Sequence, residues 1–369
     1  PIIDNTPLVI VQENNPQDLT LAVASYGIVD AKFTTELVAQ VNGEIVFLSQ
    51  KFVRGGFVKQ GEVLARIDDS DYQAALLDAQ ANIASAQAAL VLERALGNVA
   101  REQWSDISDS KPTPLSLRQP QLAQEEARLL SSQASLKRAE RDVERTVIRA
   151  PYDALIESRH IGLGSYMSAG TQLGKIYSTD KAEIRLPVAD HELQYLINNG
   201  VGAQVTVSAK LAGTSQQWTG KIIRSEGVID ELSRMNYLVA EIEDPYALSA
   251  VNNKKTDNDN LNAKLRYGTY VTAEIVGREV VNVTSIARHL VVENKVAVID
   301  QNNKLHFQDV SVLRTVGSIS LIDQGLTDGM LLITSALDYP IEGMTVKTNK
   351  ALLDTVYEKQ LVTNSDLEE

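Results

Sequence analysis

At 369 residues, with 44 % hydrophobic and 22 % charged residues, the chain has the length for two to three domains of ordinary globular composition. A net charge of −13 argues against a protein that grips a phosphate backbone through a basic face. The absence of cysteine removes disulfides, thiolate metal sites and thiol nucleophiles together.

In chain order, the region Leu19 to Lys32 reads as an early strand, expected to partner the last β-rich segment so that the two chain ends meet. "VAQVNGEIVFL" (Val38 to Leu48) and "FVKQGEVLARID" (Phe57 to Asp68) follow as short strands and turns, with Val58, Gly61, Leu64 and Ile67 spaced three apart. The sequence then turns helical. Asp68, Asp69 and Ser70 offer N-caps, and Asp71 suits the positive end of a helix dipole. Apolar residues recur at Tyr72, Leu76, Ala79, Ile83, Ala86 and Leu90, a heptad seam. Beyond it the stripe reads as slipping to Leu92, Leu96 and Val99.

"SDSKPTPLSLRQP" (Ser108 to Pro120) carries three prolines and ends the helix. A second helix has Leu122, Leu129, Leu136 and Val143 at intervals of seven, flanked by Ala123, Ala127, Leu130 and Ala134. Two such helices satisfy each other's seams as an antiparallel arm roughly 50 Å long. No run of 18 apolar residues is found, so no membrane span is expected.

After the arm the earlier pattern returns. "IRAPYDALIES" (Ile148 to Ser158) resembles Val38 to Leu48, with Gly43 opposite Ala154 and Ile45 opposite Ile156. Met167, Gly170, Leu173 and Ile176 repeat the spacing of Val58, Gly61, Leu64 and Ile67. A sheet is therefore begun, interrupted by the arm and completed by its own internal repeat. Gly43, Gly61 and Gly170 mark its tight turns, where positive φ is needed.

Beyond Asp180, evenly spaced short strands suit a small barrel, with one short helix at Asp190 to Gly200 and a polar insert, "ALSAVNNKKTDNDNLNAK". A last β-rich segment runs from about Val280 to Asn349, and the acidic stretch after Leu353 is expected to lack order. The fold class is mainly β with an inserted α-helical coiled-coil hairpin in an elongated multidomain chain.

No catalytic constellation is found. His160, His191, His289 and His306 fall at no metal-ligand spacing. Gly162 to Gly164 lacks the third glycine of a dinucleotide fingerprint. "DNDNLNAKLRYG" has Asn262 and Gly268 where a calcium loop needs glycine and glutamate. No enzymatic activity, cofactor, metal or nucleic acid is expected.

The pieces "VNGEIVFL", "VKQGEVLARID", "RTVIRAPYDALIES", "SYMSAGTQLGKI" and "LRYGTYVTAEIVG", in this nested order, resemble the HlyD-like membrane fusion proteins, the periplasmic adaptors of Gram-negative efflux pumps. The resemblance implies a split lipoyl-like domain (34–69 and 146–180), an α-helical hairpin (70–145) and a β-barrel domain (181–279). It also implies a membrane-proximal β-domain (1–33 and 280–353, including an N-terminal barrel strand) and a disordered tail (354–369).

By the same resemblance the chain is a periplasmic adaptor subunit of a tripartite pump, attached to the inner membrane through an anchor absent from this chain. It would join an inner-membrane RND transporter to a TolC-like outer-membrane channel as a trimer or hexamer. Its tip would dock the channel through Arg101, Trp104, Pro114, Leu115, Leu117 and Arg118, and its glycine turns would stack between subunits. The family's tip pattern of Arg, Leu and Ser is not reproduced, because Arg101 is followed by Trp104 and Ser105. Ala154 stands where the family usually has glycine.

Two other readings share the split module. An adaptor of an ABC-type or type I secretion exporter is disfavoured by the moderate arm and the terminal β-domain. A lipoyl or biotinyl carrier needs a modifiable lysine between the half-motifs, and none lies between Asp68 and Asp71.

Overall fold

A computed structural model describes residues 6–107, 112–211, 213–248, 264–335 and 339–348. Most of the polar insert, much of the calcium-loop-like stretch, the start of the proline-rich turn and the acidic tail lie outside these residues.

The chain opens with β1 (Leu8–Val9), β2 (Val11–Glu13) and the long β3 (Gln17–Ala31). Next come β4 (Thr34–Val38), β5 (Gly43–Leu48), β6 (Phe57–Val58) and β7 (Val63–Ile67). Two helices follow, α1 (Ser70–Ile107) and α2 (Gln119–Arg145). Then β8 (Val147–Arg149), β9 (Ala154–Arg159), β10 (Tyr166–Met167) and β11 (Gln172–Ser178) repeat the earlier quartet.

The two quartets exchange strands. One sheet runs β10-β5-β7-β8 and the other β4-β11-β9-β6, so each half supplies the inner strands of one sheet and the edges of the other. Equivalent side chains meet in a single core: Ile45 with Ile156, Leu64 with Leu173 and Ile67 with Ile176, all at most 1 % exposed. Neither half can close its sheet alone. The arm leaves this sandwich where β7 pairs with β8, and the backbone N–H of Ile67 donates to the Thr146 carbonyl at 2.8 Å.

The barrel comprises β3, β12 (Lys181–Ala189), β13 (Gln204–Leu211), β14 (Thr214–Ile229), β15 (Met235–Glu243) and β16 (Tyr270–Ala287). Their order is β13-β14-β15-β12-β3-β16, and β13 also pairs with β16, which closes the sheet. Alternation fills the interior with Leu21, Val23 and Val29 from β3 and Ile184, Leu186 and Val188 from β12.

The early strand is mainly a barrel stave between β12 and β16, and only its start meets the final segment, where Leu19 pairs with Val280 and Gln17 with Val283. Its inward Leu, Val and Val match the barrel core. The ends also meet through β1 and β2. Between Asp190 and Gly200 the expected helix is reduced to one α-helical turn, α3 (Asp190–Leu193), and a separate 3-10 turn at Ile197–Gly200. The chain is already extended at Leu196, with φ −98° and ψ 150°, and beyond it Asn198 and Asn199 adopt left-handed φ of 50° and 53°, a conformation that Asn tolerates.

The remaining strands are β17 (Lys295–Ile299), β18 (Leu305–Asp309), β19 (Ser311–Val316), β20 (Ile319–Gln324), β21 (Leu331–Ile333) and β22 (Lys347–Thr348). β16 extends beyond the barrel to pair with β20, while β2 pairs with β21 and β1 with β22. Ion pairs and rings lock the junctions. Glu241 binds both Lys32 and Lys181, at 2.8 and 2.6 Å, and Tyr246 packs between Phe57 and Tyr267. The Tyr267 hydroxyl donates to the Ser178 carbonyl, and burial pushes its pKa up, so it stays a donor. On the other side of the barrel Arg314 reaches Glu192 at 2.5 Å and the Ala22 carbonyl at 2.6 Å.

Candidate functional site

The arm is built by α1 and α2 lying antiparallel, because both spring from the paired strands β7 and β8. At about 1.5 Å per residue, the 38 residues of α1 reach about 57 Å. Asp68 starts the helix by accepting from the Ser70 N–H at 3.1 Å and the Ser70 hydroxyl at 2.6 Å.

The seam does not slip. Side chains withdrawn from solvent on α1 run Tyr72, Leu76, Ala79, Ile83, Ala86, Leu90, Glu93, Gly97, Ala100 and Trp104, in unbroken steps of four and three. Leu92, Leu96 and Val99 lie outside it, 62 %, 40 % and 48 % exposed. The sequence misleads because the continuing positions are a carboxylate and two very small residues. On α2, Leu122, Leu129, Leu136 and Val143 hold the expected seam, and Leu130 is 65 % exposed.

Glu93 is accommodated by a specific partner. Arg118 adopts left-handed φ of 54° immediately before α2 and turns its guanidinium back to Glu93, with Nε–Oε1 at 2.6 Å and Nη2–Oε2 at 3.0 Å. The Arg118 fork holds the Glu93 carboxyl below its ordinary range. Gly97 lies against the turn, where a Cβ would meet the Leu117 carbonyl at 3.6 Å, an ordinary van der Waals contact. Further along, Glu125 Oε2 and Gln121 Oε1 are buried without a hydrogen-bond partner among the described residues. The outer third of the seam thus carries buried polar groups.

The six tip residues fall into two groups. Arg118 and Leu117 are partly withdrawn from solvent and shape the turn. Arg101, Pro114 and Leu115 face solvent, with Leu115 66 % exposed, and Trp104 is half-buried beside Ala100 and Ser116. Among the described residues Arg101 is tied locally, to Asn98 at 3.2 Å.

The three turn glycines differ in kind. Gly43 has φ of 147°, and a Cβ there would stand 2.5 Å from Ile67 Cγ2, inside the core. Gly61 and Gly170 also have positive φ, 78° and 91°, with open space at the Cβ position.

No helix was expected to be long and apolar enough to span a membrane, yet α1 between Ser70 and Ser105 passes that test by length and composition. Its hydropathy comes mainly from alanines spread round the helix, with no single apolar run, and its seam face packs on α2. Among the described residues no group of three or more His, Asp and Glu is placed to hold a metal ion.

Comparison with known proteins agrees with this architecture. The RND MFP barrel-sandwich hybrid domain matches residues 34–179, the interval spanned by both sandwich halves and the arm. The toluene efflux pump periplasmic linker protein TtgA of Pseudomonas putida is 27 % identical, over 94 % of this chain and 85 % of its own. The multidrug resistance protein MexA of Pseudomonas aeruginosa is 26 % identical, over 93 % of this chain and 85 % of its own. The crystal structure of MacA from Actinobacillus actinomycetemcomitans shares the fold, with a TM-score of 0.58, 21 % identity and coverage of 88 % of this chain and 99 % of that one. The exchanged-strand sandwich with its inserted arm is the part that matches the RND MFP barrel-sandwich hybrid domain, and over most of its length the chain is similar to periplasmic linker proteins of efflux pumps.

Proposed function

We propose that the chain is the periplasmic adaptor of a tripartite RND efflux pump, a non-enzymatic part that transmits and seals. The observation that carries this reading is the arm. About 57 Å of helix, roughly 40 Å of it paired with α2, projects from a sandwich that needs both halves to close. Such a part reaches across a distance and touches something with its end. Relatives named as linker proteins of toluene and multidrug pumps support the assignment.

The chain divides into a split lipoyl-like sandwich (34–69 and 146–180), a coiled-coil hairpin (70–145), a barrel that takes in β3, and a terminal β-unit closed by β1 and β2. The barrel and terminal unit face the inner-membrane transporter, and the tip meets a TolC-like channel. Trp104, Leu115 and Arg101 are the docking residues at that tip, with Pro114 in the exposed turn. Arg118 and Leu117 hold its shape.

Assembly as a homo-oligomer follows from the arm's surface. On α1, Leu92, Leu96 and Val99 each precede a seam residue by one position. On α2, Ala123 and Leu130 each follow one. In antiparallel helices these stripes face opposite sides, the arrangement that lets copies pack head to tail in a ring.

Replacing 70–145 by a short Gly/Ser linker tests the reading in Gram-negative cells lacking the native chain. The armless protein is expected to accumulate normally but to leave an efflux dye inside the cells. Restored efflux by the armless protein would remove bridging as the function.

A further inference from the structure

The terminal β-unit contains a histidine whose surroundings do not belong to the bridging role. His306, on β18, points one ring nitrogen at each of two carboxylates: Nδ1 lies 2.7 Å from Glu342 Oε1 and Nε2 lies 3.4 Å from Asp300 Oδ2. Both acids are fixed independently by backbone. Glu342 Oε2 accepts from the Phe307 N–H at 2.9 Å, and Asp300 Oδ1 accepts from the N–H groups of Asn302 and Lys304 at 2.9 and 2.8 Å. These backbone bonds hold both carboxyls below their ordinary range, so they stay ionised where histidine titrates. The nearby cations are Lys295, which acts on Glu342 from β17, and Lys304, which donates to Asp300 only through its backbone.

A neutral imidazole carries a single N–H. Whichever tautomer forms, one lone pair then faces an ionised oxygen, and only the imidazolium satisfies both acids. The acids sit on different segments. Asp300 begins the turn between β17 and β18, whereas Glu342 lies in the stretch that leads into β22. That stretch is also held to β18 and its turn by three backbone bonds, Gly343 N–H to the Leu305 carbonyl, Leu305 N–H to the Met344 carbonyl and Val346 N–H to the Asn303 carbonyl, and by Val346 and Met344 packing in one core with Leu305. It continues directly into the pairing of β22 with β1.

We infer that His306 is a pH-operated latch. As imidazolium it clamps the 339–346 stretch and the β1–β22 pair onto the terminal sheet, and its deprotonation loosens them. The sign follows from the two partners, Glu342 first and Asp300 second, which raise the histidine's pKa above its ordinary value. The clamp is complete below the unfolded value of about 6.5 and is lost as pH rises through the higher folded value. A periplasmic part that loosens in alkaline surroundings would adjust its grip without any ligand.

The test is side-chain NMR of ¹³C-histidine-labelled protein, run alongside hydrogen exchange of residues 300–309 and 339–348 from pH 5.5 to 8.5. Exchange is corrected for intrinsic rates and referenced to β7. His306 should titrate above the ordinary histidine value of about 6.5. Corrected exchange of the Gly343 and Val346 amides should rise roughly two- to fivefold through that titration, the scale of an exposed ion pair. Glu342→Gln should lower the His306 midpoint, and His306→Gln should leave exchange independent of pH. A His306 midpoint at or below about 6.5 would overturn the proposal. So would exchange that stays flat while His306 titrates.

Discussion

Ile45 and Ile156 hold equivalent places in the two sandwich halves, 0 % and 1 % exposed, and strand exchange makes both halves depend on each. Truncation to alanine removes three carbons, about 2.4 kcal/mol at 0.8 kcal/mol per buried methylene. An unrelaxed cavity adds to this, for a total of roughly 3–4 kcal/mol in either variant. Native-state hydrogen exchange, followed in peptides covering 43–67 and 154–176, reads the loss locally. Each variant should speed exchange in both peptides by about two to three powers of ten, at about 1.4 kcal/mol per tenfold. The matched response is what the exchanged strands require. Loosening confined to the half that carries the substitution would show that the halves are independent, and the swapped pairing would be refuted.

The unbroken seam makes Leu90→Ala costly, about 2 kcal/mol or more, and Leu92→Ala cheap, within about 0.5 kcal/mol, as judged by thermal melting of arm helicity. Gly43→Ala should cost more than Gly61→Ala, because only the former drives a Cβ to 2.5 Å from the Ile67 side chain; denaturant midpoints of the pair decide it. The Glu93–Arg118 fork stabilises the tip above the usual glutamate pKa and is lost as pH falls through the depressed one. Protease nicking near the tip should therefore rise on acidification in the native chain, and should be high at every pH in Arg118→Ala.

The sandwich was legible because its repeat is written in the core itself, where Ile, Leu and Ile recur at matched intervals and cannot be replaced without opening a cavity. The arm was legible for the same reason as far as Leu90. Past it, the seam is carried by Glu93, Gly97 and Ala100, whose fitness depends on Arg118 arriving from 25 residues away. A periodicity of hydrophobic residues alone drifts instead onto the exposed Leu92, Leu96 and Val99. The early strand was found, but how its pairing divides between the barrel and the final segment was not legible, because alternation shows that a strand is half-buried and says nothing of which neighbours bury it. The pairs that close the terminal unit, β1 with β22 and β2 with β21, are two or three residues long and carry no periodic signal. Nor does any local pattern mark Asp300, His306 and Glu342 as neighbours. At the tip, residue type singled out six positions, and only geometry separates Arg118, which builds the turn, from Trp104 and Leu115, which remain available at its surface.

The chain's lack of cysteine permits the most direct test of bridging. A single Cys placed at the exposed Gln119, in the first turn of α2, would carry a short photocrosslinker in Gram-negative cells, with adducts identified by mass spectrometry. The account predicts capture of an outer-membrane channel. Capture of only this chain or of a soluble protein would leave the fold standing and contradict the claim that the arm spans to the outer membrane.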